Sequence, residues 1–151
     1  MNEILLKPKI VLDNQNIQYL VTSIFIDDVE LADFEIYCTD LECLHDSFTH
    51  NGEHNILTCW CGVPDCVGLR RGISVTHLDN AVVWNMLEPN EHKYIFSKPD
   101  YLNLFKLLKS ELFNLKYSIS SFDSLEIVPY LGEEVISKIM YDKHYIKINH
   151  A

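Results

Sequence analysis

Hydrophobic and polar positions change period along this chain, and the changes mark its elements. Met1 to Asn16 reads as a lead-in that closes on the turn signal Asp13-Asn14-Gln15-Asn16. Ile17 to Ile26 is an almost unbroken run of apolar, aromatic and β-branched residues, which predicts a strand. Asp27-Asp28 then turns the chain. From Val29 to Cys38 the apolar Leu31, Phe34, Ile36 and Cys38 are interleaved with Glu30, Asp33 and Glu35. This predicts an antiparallel hairpin with an acidic outer face. Thr39 or Asp40 caps a short helix that runs to about Phe48, with Leu41, Leu44 and Phe48 at helical spacing; Thr39 and Glu42 also fit a capping box. A polar loop, His50 to Asn55, follows.

Ile56 to Cys61 predicts the next strand. Strict alternation there puts Leu57, Cys59 and Cys61 on one face and Ile56, Thr58 and Trp60 on the other. Gly72 to Leu78 and Ala81 to Met86 predict two more strands, with Ile73, Val75 and His77 on a face opposite Ser74 and Thr76. Glu88 to Glu91 is a turn, and Tyr94 to Phe96 a short strand. The period then becomes helical. Ser97-Lys98-Pro99-Asp100 is a helix start, with a capping Ser, a Pro in the first turn and an acid at the positive end of the dipole. Tyr101, Leu104, Phe105, Leu108, Leu112 and Leu115 form one apolar stripe, so a helix over about 99–115 packs across a sheet face. Ser118 to Ser124 reads as a loop, Leu131 to Met140 as a second helix and Tyr145 to Ile148 as a terminal strand. The expected fold is α+β: a mostly antiparallel sheet, one long amphipathic helix and shorter ones. A chain of 151 residues without repeat or linker is expected to be a single domain.

Charge adds something the periodicity does not carry. The net charge of −10 sits in one segment: Ile10 to Leu69 holds eleven acids and no Lys or Arg, while the rest holds eleven acids and twelve bases. This asymmetry argues against a nucleic-acid partner, which needs a basic footprint, and favours a basic protein. Acids also simply keep small proteins in solution. The start of the chain has no secretory pattern, and the longest apolar run, Ile17 to Ile26, is far too short for a membrane span. The expectation is a cytoplasmic chain with reduced cysteines.

Candidate chemistry is sparse. The sequence contains no P-loop, dinucleotide fingerprint or nucleophile elbow, so no catalytic residue is assigned and an enzyme is not expected. Cys59, Cys61 and Cys66 offer three soft metal ligands, and a fourth would come from Cys43, His45, His54 or His77. The spacing lacks the usual knuckle, so a reduced, partly buried thiol cluster packing as small hydrophobes is the preferred reading, with a structural zinc as the alternative. His50 and His54 stand four apart, but Asn51 and Gly52 argue against a helix that would pair them. Trp60 and Trp84 read as core residues.

The segment from Leu57 to Gly68, followed by Ile73-Ser74-Val75 and Val82-Val83-Trp84, resembles a group of small bacterial proteins. These share a T-C-x-C-G-x-x-x-C-x-G turn, a V-x-V hairpin ending in Trp, and a helix opened near a Phe and a Tyr. Tyr94, Phe96 and Tyr101 stand at the last of these positions, and the likeness spans roughly residues 55 to 115. In overall profile the chain also resembles immunity proteins of bacterial toxin systems, including contact-dependent growth inhibition: small, often acidic α+β proteins that bind one toxin. That resemblance implies a cognate toxin C-terminal domain as partner; no membrane partner and no cofactor are expected. The expected partner surface is Asp27, Asp28, Glu30, Asp33 and Glu35, whose carboxylates would pair with the cations of a basic toxin domain. The alternative is a zinc-binding module or small metal-dependent enzyme centred on Cys59, Cys61 and Cys66.

Overall fold

The computed structural model describes residues 1–118, 125–129 and 132–147. Its described elements are helices and mostly antiparallel strands, an α+β fold as the periodicity predicts.

The first difference from expectation comes at the start. The lead-in is a nine-residue strand, β1 (Ile4–Leu12), antiparallel to β2 (Gln18–Ile26) along its whole length, from Ile4 opposite Ile26 to Leu12 opposite Gln18. Lys7-Pro8-Lys9 breaks the apolar pattern that marks a strand, yet β1 lies at a sheet edge, where a missing N–H costs no ladder bond and lysines are common. The predicted turn between the strands is present. The Asp13 carboxylate accepts from the N–H of Gln15 at 2.8 Å and of Ile17 at 2.9 Å. Asp27 and Asp28 have φ of 53° and 65°, the pair of left-handed residues that a two-residue hairpin loop needs.

Beyond that loop the expected strand over Val29 to Cys38 is mostly absent. Only β3 (Val29–Glu30) pairs with β2. The chain then leaves the sheet, because Asp33 nucleates a turn: its carboxylate accepts from Glu35 N–H, and its carbonyl accepts from Ile36 and Tyr37. Pairing resumes at β4 (Cys38–Thr39). The predicted short helix is α1 (Leu41–Ser47), capped by Asp40, whose side chain accepts from Cys43 N–H. The expected polar loop contains β5 (Gly52–His54). The expected strand Ile56 to Cys61 shortens to β6 (Leu57–Thr58), which pairs with β4.

The predicted β-meander is present as β7 (Ile73–His77), β8 (Ala81–Met86) and β9 (His92–Ser97), with β5 added at its edge. Ser97 caps the next helix by accepting from Asp100 N–H, as read from the sequence. The long helix is divided. Asn103 donates to the carbonyls of Pro99 and Asp100 and separates α2 (Lys98–Leu102) from α3 (Leu104–Ser118). Leu104, Phe105, Leu108 and Leu112 are buried on α3, which packs on β1. The predicted loop Ser118 to Ser124 lies, from 119 on, outside the described residues. After it, β10 (Glu126–Val128) joins β2 in parallel, a strand the periodicity does not mark. The second predicted helix is α4 (Glu133–Tyr141). The expected terminal strand at Tyr145 is instead α5 (Lys143–Ile146), because Asp142 caps it by accepting from His144 N–H; Ile148 lies outside the described residues.

One buried cluster joins both larger sheets to α1, α2, α3 and α4. Trp84, Phe96, Tyr101 and Phe105 are among its largest fully buried side chains. Each such side chain contributes about 1.5–3 kcal/mol by leaving water. Asn2 bridges the two sheets, donating its backbone N–H to Ile95 and its side-chain amide to Asp27. Among the described residues no helix is long and apolar enough to cross a membrane.

Candidate functional site

The strand expected through Cys61 ends at Thr58, and this changes where the thiols go. Gly62 N–H donates to Cys59 C=O at 2.9 Å, closing a turn, and Pro64–Val67 forms a single 3-10 turn. Gly62 and Gly68 stand at φ of 88° and 79°, which side chains with a Cβ rarely adopt. Cys59 and Cys61 therefore do not share a strand face. They converge with Cys66, and the three Sγ atoms lie within 4.8 Å of one another. The Sγ atoms of Cys61 and Cys66 are 3.4 Å apart.

The thiols form a reduced cluster of which only Cys59 is partly buried. Cys61 and Cys66 are exposed and Cys59 is half-buried; Cys38 alone is buried. All five cysteines are free thiols. The Val63 N–H at Cys61 lowers that thiol below its ordinary value, helped by hydrogen bonds from Cys66 and Cys59. Hydrogen bonding to Cys61, followed by desolvation, pushes Cys66 up to about 11. Burial pushes Cys38 up to about 12, and its Sγ donates to Cys59 C=O at 3.2 Å, which ties the turn to β4. Trp60, in the turn rather than on a strand, donates its indole N–H to Phe34 C=O at 2.7 Å. Trp84 is in the core as expected.

None of the four residues expected to complete a metal site joins the three thiols. His45 Nε2 meets Tyr145 C=O at 2.9 Å, His54 Nε2 meets His50 C=O at 2.9 Å, and His77 Nε2 meets Ser47 C=O at 2.7 Å. Cys43 is half-buried on α1 and burial pushes it up to about 12. Next to the turn lies a cavity of about 280 Å³, walled by Cys61, Gly62, Asp40, Glu42, Val128 and Pro129.

The acidic segment lies on the surface, but its charge is less naked than its sequence implies. Pairing of β1 with β2 brings Lys7 and Lys9 beside it. Lys9 Nζ lies 3.4 Å from Glu30 and 4.3 Å from the Phe34 ring centre, and Lys7 lies over Phe25 at 4.4 Å. Asp27 is spent on Asn2 and on Glu3 N–H, and these hydrogen bonds lower its pKa, Asn2 first. Asp33 holds its own turn. Asp28 and Glu35 are exposed and belong to no ion pair among the described residues.

A basic feature that charge counting along the chain misses is a groove lined by Lys106 and Lys109 of α3, Lys143 of α5 and Lys147 just after it. The i, i+3 and i, i+4 spacings are the signal that could have shown each half. Their meeting depends on how α3 and α5 pack.

No family model, no curated protein and no solved structure matches this chain.

Proposed function

We propose that this chain is a binding protein that neutralises a basic protein by covering its cationic surface, in the manner of a cytoplasmic immunity protein bound to a toxin domain. The observation that supports the reading is the composition of the exposed segment 27–36. Carboxylates of Asp27, Asp28, Asp33 and Glu35 stand there beside Val29 and Ile36, which are 68% and 49% exposed. Carboxylates steer a cationic partner and set its orientation, and apolar anchors hold it once docked. Glu30, half-buried and paired with Lys9, supports the segment more than it recruits a partner.

The test is co-expression of this chain with the C-terminal domain encoded by the neighbouring reading frame. Immunity requires that the domain arrests growth alone and that this chain restores it. A harmless domain, or arrest that persists, removes the reading. With a purified pair, D28N/E35Q slows association and flattens its salt dependence. An unchanged rate and salt slope would move the interface elsewhere.

A further inference from the structure

The acidic segment leaves the cysteine turn without a role, and the turn is too specifically built to be incidental packing. We infer that Cys59, Cys61 and Cys66 form a three-thiolate site for a transition-metal ion, Zn²⁺ in the first instance, whose fourth position is filled from outside the turn.

Geometry carries this. A tetrahedral zinc with Zn–S of about 2.3 Å sets its sulfurs about 3.8 Å apart. The Cys61–Cys66 pair stands at 3.4 Å and all three sulfurs lie within 4.8 Å, so rotamer adjustments of about an ångström complete the set. Among the described residues these are the only three His, Cys, Asp or Glu side chains brought together in this way. Exposure points the same way. Thiols used as small hydrophobes are buried, as Cys38 is, whereas Cys61 and Cys66 face solvent.

The backbone is shaped before any ion arrives. Two left-handed glycines, the Gly62–Cys59 hydrogen bond and the Cys38 thiol on Cys59 C=O hold the ligand-bearing residues in place. Each thiol that ligates releases its proton to solvent, so affinity falls as the pH is lowered.

The fourth ligand is external because, among the described residues, none of Cys43, His45, His54 and His77 joins the three thiols. Three protein ligands and one open position is the pattern of zinc sites that bind an exchangeable ligand, whereas purely structural sites are closed. The cavity beside Cys61 gives water, or a donor from a partner, room to reach that position.

The test uses the full chain, reduced and stripped of metal with a chelator, and titrated with Co²⁺ and then with competing Zn²⁺. The expected result is one ion per chain, a thiolate-to-cobalt charge-transfer band and intense visible bands of tetrahedral cobalt, all abolished by zinc. C61S and C66S should each weaken binding by more than about 100-fold, since even outer-shell changes cost about 10–100-fold, while C43S binds as the parent does. Cys61 and Cys66 are exposed, so their serine variants keep the fold, which circular dichroism verifies. A reduced chain without the charge-transfer band, or binding that survives both C61S and C66S, would overturn the site.

Discussion

The indole N–H of Trp84 donates to the hydroxyl of Tyr101 at 3.1 Å, and both side chains are fully buried. Tyr101 in turn meets the Ser47 hydroxyl, so a residue from the last turn of α2 ties β8 to α1. Tyr101→Phe keeps the ring and removes the acceptor, leaving the Trp84 N–H unpaired in the core. The expected loss is about 1–3 kcal/mol, read as a lowered urea midpoint with unchanged slope.

Burial on α3 gives a paired comparison. Leu108 is fully buried, and its neighbour Leu107 is 52% exposed. Leu108→Ala should cost about 2–5 kcal/mol through lost contacts and the cavity left behind. Leu107→Ala should stay within about 0.5 kcal/mol. Denaturation of the two variants side by side checks which face of the helix meets the core.

Gly72 tests a close backbone approach. A Cβ there would lie 2.8 Å from the carbonyl carbon and oxygen of His54, backbone atoms that cannot yield as a flexible side chain would. Its N–H also donates to Glu53 at 2.6 Å. Gly72→Ala should push β5 away from β7 and cost about 1–3 kcal/mol. Hydrogen exchange should quicken at Gly52 to His54 while the β7–β8 ladder stays protected.

Asp27 makes the fold sensitive to acid. Its pKa is held below the ordinary 3.8, first by the Asn2 amide and then by Glu3 N–H. A carboxyl lowered on folding stabilises the native state fully above its unfolded pKa, and that contribution disappears as pH falls through the folded value. The parent should therefore lose stability below about pH 4, and Asp27→Asn should lose less between about pH 5 and pH 3. Urea midpoints across that range provide the measurement. Equal acid sensitivity in the two proteins would assign the effect to other carboxyls, Asp13 among them, whose pKa Ile17 N–H lowers most.

The thiols should differ in reactivity by position. Cys61 is exposed and its pKa lowered, whereas burial pushes Cys38 and Cys43 up to about 12. A short alkylation pulse at about pH 8 should label Cys61 first and reach Cys38 and Cys43 only on unfolding. Mass spectrometry of the digested chain gives the order, and prior loading with zinc should protect Cys61 and Cys66 together.

Local chemistry explains which elements were legible in the sequence. Ser97 caps its helix, Asp40 caps another, Asp27-Asp28 turns a hairpin, and the α3 stripe repeats every three to four residues. Each depends on neighbours within about one turn of chain, so the residues state it themselves. The β7–β8–β9 meander belongs to the same class, because short connections leave adjacent strands little choice but to pair.

Long-range pairing was not legible in that way. β1 carries Lys7-Pro8-Lys9 and is a strand because β2 offers it an edge; β10 adds to β2 in parallel from more than a hundred residues away. The same pairing sets Lys9 against Glu30, which spends part of the acidity that the base-free run promised. At the cysteine turn the sequence supplied three thiols, two glycines and a proline. The Gly62–Cys59 turn and the 3-10 turn after it bring those thiols together, and β4 adds the Cys38 thiol that holds Cys59. The sequence by itself determined the caps, turns and amphipathic faces, since these answer to local torsions and spacing. Tertiary structure alone decided which charges are neutralised and that the Cys38 thiol anchors the cysteine turn, because a hydrogen-bonded edge or a packed side chain has no counterpart until distant segments come into contact.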